Sequence, residues 1–334
     1  MNTRFHIVAS AGLAVVASLL SPDFTQADPL PGQVLKFGQQ PMDNVPVDGA
    51  LFWGHDEAST AYGSHPAGLY GFPNAALPPS HFMADDFADK VSTPVVHVKW
   101  WGSYLGNQFG NRVQKFLISF ETDNPAPPAP FSYPGSPLLN QVVTPGVLTP
   151  GSGTFTETSI SLGGAPLNEE LFQYNAELRL PFQQQADTVY WLKIVALVDP
   201  SVDGNIEWGW HNRDYTQQNL TASPAVTPGE RIIGPFPSGS GAVWHFQDDA
   251  IQGTIANIDL NSTTGPNGID FQQPLPTFIP QNYVDNSDGP PGISQYSKDL
   301  AFELYTVPEP AGLPVLCIGA YLLTRRRRSN APQA

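Results

Sequence analysis

The stretch Phe172-Gln173-Tyr174-Asn175-Ala176-Glu177-Leu178-Arg179-Leu180 alternates apolar and polar side chains without a break. A period of two places Phe172, Tyr174, Ala176, Leu178 and Leu180 on one face, with Gln173, Asn175, Glu177 and Arg179 on the other. That is the pattern of a half-buried β-strand. The same alternation recurs along the chain. Val96, Val98 and Trp100 oppose His97, Lys99 and Trp101. Phe116, Ile118 and Phe120 have Ser119 and Glu121 on their reverse. Ile206, Trp208 and Trp210 alternate with Glu207, Gly209 and His211, and Leu300, Phe302 and Leu304 with Ala301, Glu303 and Tyr305. Thr188 to Val198 is apolar on both faces except for Lys193, and Asp199-Pro200 ends it. Rich in β-branched and aromatic residues, it reads as a central strand covered on both sides.

Between these segments the chain is dense in helix breakers, with 35 Pro and 30 Gly in 334 residues. Proline removes a backbone donor and clashes with the preceding turn, so helices of any length are excluded over most of the sequence. Asp123 to Tyr133 and Asn257 to Pro291 read as long Pro- and Gly-rich loops, far longer than hairpin turns. No repeat of 20–50 residues is present, which argues against solenoids and propellers. The expected fold is all-β: an antiparallel β-sandwich, jelly-roll-like, with long Pro/Gly-rich loops.

The two ends read as addresses. Residues 1–27 have the form of a signal peptide: Arg4, an apolar run from Ile7 to Leu20, and a small-x-small site at Thr25-Gln26-Ala27. Residues 28–306 form the expected exported β-rich domain. There, ten basic residues against 28 acidic ones leave a net charge of −18. Such a body repels nucleic acid, so no nucleic-acid partner is expected. The single cysteine, Cys317, lies outside it, which leaves the body without disulfide or thiolate chemistry. Residues 307–334 form a tail in three parts: Pro308-Glu309-Pro310, an apolar segment over 311–324 expected to be a short membrane helix, and the basic cluster Arg325, Arg326, Arg327 and Arg328. The apolar run from Ala311 to Leu323 would rise only about 20 Å as a helix, short for a hydrocarbon core of roughly 30 Å. The arginines favour a cytoplasmic end, so the tail implies transient membrane insertion with the acidic body outside.

This order of motif, short apolar segment and basic cluster resembles the PEP-CTERM sorting domain. The resemblance implies an exosortase-type processing protease as partner and cleavage near Pro308-Glu309-Pro310. It also implies a final place at the cell surface or in an extracellular matrix associated with biofilm and exopolysaccharide. The body also resembles a domain of unknown function found in such proteins. Its matching pieces include Ala84-Asp85-Asp86-Phe87, Trp100-Trp101-Gly102-Ser103, Val189-Tyr190-Trp191-Leu192, Trp208-Gly209-Trp210, Asp248-Asp249-Ala250-Ile251 and Asp299-Leu300-Ala301-Phe302. No activity comes with that resemblance.

Catalytic signatures are missing. There is no Gly-x-Ser-x-Gly elbow, no His-Glu-x-x-His and no phosphate loop, and the seven histidines lack metal-ligand spacing. The chain is therefore expected not to be an enzyme. Two pairs, Asp85-Asp86 and Asp248-Asp249, either cap turns or contribute to a structural calcium site, the one cofactor the sequence offers. Trp53, Trp101, Tyr104, Trp208 and Trp210 are either core aromatics or platforms on which a sugar ring stacks. Two functions follow: a non-catalytic exported surface or matrix protein, or a carbohydrate-binding module for matrix glycan. Burial of the tryptophans favours the first, and exposure along a groove the second.

Overall fold

A computed structural model of the chain describes residues 29–42, 46–47, 50–51, 56–64, 68–71, 76–105, 110–126, 131–160, 170–235, 242–254, 258–262, 269–271, 278–280 and 299–308. The segments expected as signal peptide and membrane helix, Trp53, and the tail from Glu309 through Pro310 and the four arginines lie outside the described residues. Among the described residues there are strands and no helix. The first are β1 (Val34–Gln39), β2 (Pro46–Val47), β3 (Ala50–Leu51), β4 (Asp56–Ala58), β5 (Thr60–Ser64) and β6 (Leu69–Tyr70). The long strands follow: β7 (His81–Phe87), β8 (Val95–Tyr104), β9 (Phe116–Asn124), β10 (Tyr133–Pro145), β11 (Thr154–Ile160), β12 (Leu171–Phe182) and β13 (Tyr190–Val198). The remainder are β14 (Trp208–His211), β15 (Glu230–Pro235), β16 (Ala242–Phe246), β17 (Ile251–Thr254), β18 (Ile258–Asp259), β19 (Asp270–Phe271), β20 (Phe278–Pro280) and β21 (Phe302–Thr306).

Hydrogen bonding links 17 of these strands into one network, which packs as two layers. In the first, β11, β12 and β8 run side by side. The far edge of β8 is shared by β21 and β14, which carry β1 and β4 outside them. In the second, the order is β10, β9, β13, β7, β17 and β20. The pairing is antiparallel apart from two short parallel contacts, β10 with β11 and β13 with β5. β15 pairs with β16, and β2 with β3, as separate hairpins. The fold is all-β and sandwich-like, as the alternating segments imply.

The two layers meet through aromatic rings. Trp100 and Tyr174 stack at 5.2 Å, and Phe116 from the opposite layer meets Trp100, Tyr174 and Trp208 edge-on at 4.9–5.3 Å. Gly102 lies opposite Trp210 where β8 pairs with β14; a Cβ there would lie 2.3 Å from the Gly209 carbonyl oxygen. β13 is buried along all nine residues, with β9 on one edge and β7 on the other, the central position expected for Thr188 to Val198.

Two expectations are corrected. Leu180 does not share the inner face with Phe172 to Leu178. The β12–β8 register shifts between Glu177 and Phe182, and the irregularity turns Leu180 outward to 42% exposure. Asn257 to Pro291 is not structureless either: β18, β19 and β20 fall within it, and β18 pairs with β6. Strands of two or three residues are too short to show a period.

Candidate functional site

The two Asp-Asp pairs are far apart in sequence and close in space. β7 pairs with β13 so that Asp85 lies opposite Leu192 and Asp86 opposite Trp191. Leu192 belongs to the core between the layers, and Trp191 to a second apolar cluster outside the second layer. Adjacent strand residues point to opposite faces. Asp85 therefore enters the sandwich, and Asp86 points out beneath the outer cluster.

Each is fully buried and tied to a distant part of the chain. The Leu300 amide donates to Asp85 Oδ2 at 2.7 Å, and the Asp86 amide to Asp85 Oδ1 at 3.1 Å. The Asp248 amide donates weakly to Asp86 Oδ2 at 3.4 Å, and Ser132 Oγ donates to Asp248 Oδ2 at 2.7 Å. Beside Leu300, Asp299 is 1% exposed. Its Oδ2 accepts from Arg213 Nη1 at 3.0 Å and from the Phe246 amide at 3.1 Å. His245 Nδ1 lies 2.6 Å from Asp299 Oδ1, close but out of hydrogen-bonding alignment. Arg213 also reaches Glu230 at 2.8 Å.

Taking carboxylates out of water penalises the charged form. Burial, then the charge of Asp299, pushes the Asp85 carboxyl well above its ordinary value, against the pull of the Leu300 amide. Burial, then Asp85, Asp299, Asp248 and Asp123, pushes Asp86 up in the same way. Burial carries Asp249 to about 7, with His245 opposing it. The expected calcium set is thus brought together in part: Asp85, Asp86 and Asp248 join one cluster, and Asp249 borders it. Among the described residues, no group of three or more such side chains is arranged to hold a metal ion. Sequence reading missed Asp299, Arg213, His245 and Asp123. Asp299 was marked only by its place just before the alternating segment from Leu300 and within the matching piece Asp299-Leu300-Ala301-Phe302, neither of which gives it a role.

Of the aromatic candidates, Trp53 lies outside the described residues and the other four are buried. Trp208 and Trp210 are fully buried, with Nε1 donating to Tyr174 Oη at 3.1 Å and to the Ala301 carbonyl at 2.8 Å. Tyr104 is 5% exposed, and the Arg112 guanidinium lies 5.0 Å over its ring, on the face a sugar would need. Trp101 is 3% exposed on the outer face of the first layer, with Lys99 Nζ 5.2 Å from its ring. That face also buries His97 between Glu177 at 2.8 Å and Asn175 at 3.2 Å. None of these four rings offers an open platform. A large ring at an alternating strand position is equally suited to either face, so its exposure cannot be read from the period alone.

One cluster brings together the residue types of a hydrolase without its geometry. Asp56 lies between Ser103 Oγ at 2.8 Å and His211 Nδ1 at 3.1 Å, and His211 Nε2 faces the Met42 carbonyl at 3.0 Å. A triad needs the imidazole between the hydroxyl and the carboxylate. Here the carboxylate stands between the hydroxyl and the imidazole.

These observations define a two-layered all-β protein whose distant segments are joined through buried carboxyl groups. The chain belongs to the family described as "Domain of unknown function (DUF7901)", which matches residues 35–255. No curated protein and no solved structure matches it.

Proposed function

We propose that this is a non-catalytic, exported protein of the cell surface or extracellular matrix, delivered by its C-terminal sorting tail. The observation that carries the reading is the order of Pro308-Glu309-Pro310, the apolar segment 311–324 and Arg325 to Arg328 at the end of the chain. The fold agrees with it in one respect. β21 ends at Thr306, and the next residue, Val307, is 52% exposed, so the chain leaves the sandwich just before the motif. Proline disfavours helix at itself and at the preceding residue, so the sequence of the motif favours the extended form a protease needs. The burial of Trp101, Tyr104, Trp208 and Trp210 supports a structural or interaction role over sugar stacking. The separation of Ser103 from His211 supports a role without catalysis.

Intact-mass analysis of protein from a host with an exosortase-type protease tests the reading. The expected mass lacks the residues after the motif. Recovery of chains that retain Arg325 to Arg328 would make the tail a simple anchor and remove the sorting argument.

A further inference from the structure

Charges around Asp86 do not balance. Asp85 and Asp86 come from β7, Asp123 from the end of β9, Asp248 and Asp249 from the turn after β16, and Asp299 from the approach to β21. The β15–β16 hairpin adds Glu230, Arg231 and His245, and the segment after β14 adds Arg213. Even with the imidazole charged, three cations face seven carboxyl groups. Lys193, on the outer face beside Ala84, lies 2.6 Å from Glu121, and the two together add no net charge. Asp86 is fully buried, and its Oδ1 has no hydrogen-bond partner among the described residues. A bare carboxylate oxygen in such a place is costly unless something neutralises it.

We propose that Asp85 and Asp86 form a proton-held joint, which fastens residues 248 and 299–300 to β7 in acidic surroundings and loosens as the surroundings turn alkaline. A proton on Asp86 removes the bare charge from its unpartnered Oδ1. It also removes the charge that repels Asp85, Asp123, Asp248 and Asp299. Without it, repulsion among the carboxylates pushes Asp248 and Asp299 away from β7, against the two amide hydrogen bonds that hold these segments there, Leu300 on Asp85 and Asp248 on Asp86.

The sign follows from linkage. Both carboxyl groups are pushed up in the folded state by burial and by neighbouring carboxylates. Folding therefore takes up protons, and the resulting stability is present at acid pH and lost as pH rises through the folded values. Each carboxyl that is protonated in the folded chain and ionised in the unfolded one raises the unfolding constant about tenfold per pH unit.

Thermal melts of the full chain in mild detergent, at pH 5, 7 and 9, test the joint against Asp86→Asn and Asp249→Asn. Asparagine is isosteric with the protonated carboxyl and cannot ionise. The wild-type midpoint should fall from pH 5 to pH 9, and Asp86→Asn should remove part of that fall and melt above wild type at pH 9. Should Asp86→Asn not fold, Asp249→Asn supplies the readout, because Asp249 titrates near 7 and is only half-buried. Its slope should flatten between pH 5 and 7, the range between the unfolded and folded values of the carboxyl. Wild-type slopes in the folded variants would overturn the proposal. So would a wild-type midpoint at pH 9 restored by millimolar calcium and not restored in Asp86→Asn, which would make the cluster a cation site.

Discussion

Phe116 and Asp299 are both shut off from water, one among the aromatic rings between the layers and the other at the carboxyl joint. Phe116 is held by shape: rings from the facing layer surround it at 4.9–5.3 Å. Many small dispersion contacts and the release of water stabilise such a site, and neither depends on protonation. Asp299 is held by Arg213, the Phe246 amide and the close imidazole of His245. Its burial is tolerated only while those partners remain. The aromatic interior should therefore fail gradually and independently of pH, and the joint abruptly and in a pH-dependent way.

The largest test of that contrast is Arg213→Met. Arg213 is buried and contacts both Asp299 and Glu230. Removing it leaves two buried carboxylates with their main cation gone, at a cost of about 5 kcal/mol, the upper end for breaking a buried pair. Protons are then the remaining means of neutralising them, so the loss should be greater at pH 8 than at pH 5. Denaturant unfolding at both pH values measures it. Equal losses would mean that the joint is held by packing, as the core is.

Phe116→Ala is the matching experiment in the interior. Deleting the ring opens a cavity between Trp100, Phe155, Tyr174 and Trp208, with an expected loss of about 4 kcal/mol. The same value should appear at pH 5 and pH 8. A pH-dependent loss would show that the interior and the joint are coupled, because contacting sites are not additive.

The two regions also differ in how far the sequence disclosed them. Phe116, Trp100, Tyr174 and Phe302 stand at alternating positions, and period two is a local property. The interior was therefore legible strand by strand, up to irregularities such as the one that turns Leu180 outward. The joint was not. Asp85-Asp86 and Asp248-Asp249 drew attention as pairs, and their divergence across β7 follows from strand geometry. Their meeting with each other, and with Arg213 and Asp299, depends on the order of β7, β13 and β21 across the layers, which no local pattern encodes. Trp101, Trp208 and Trp210 were ambiguous for a related reason. Alternation assigns a ring to a face but does not say what covers that face.

Trp191 combines the two kinds of environment, in the apolar cluster outside the second layer and beside a carboxyl, and it provides the smallest and sharpest test. Its ring is fully buried in the outer apolar cluster, and its Nε1 donates to Asp123 Oδ1 at 2.8 Å. Burial raises the Asp123 carboxyl above its ordinary value, and this hydrogen bond holds it back. Trp191→Phe keeps most of the apolar body and removes the donor. The expected loss is about 1.5 kcal/mol, the low end for a bond to a charged acceptor, because water partly reaches Asp123. Without the donor the Asp123 carboxyl rises further, so folding takes up more of a proton, and the variant falls further below wild type as pH rises. The deficit should be smaller at acid pH, where protons compete for the carboxyl, and larger at pH 8. A deficit of the same size at both pH values would show the lost packing of the larger ring instead, and would place Trp191 with Phe116 in the aromatic region.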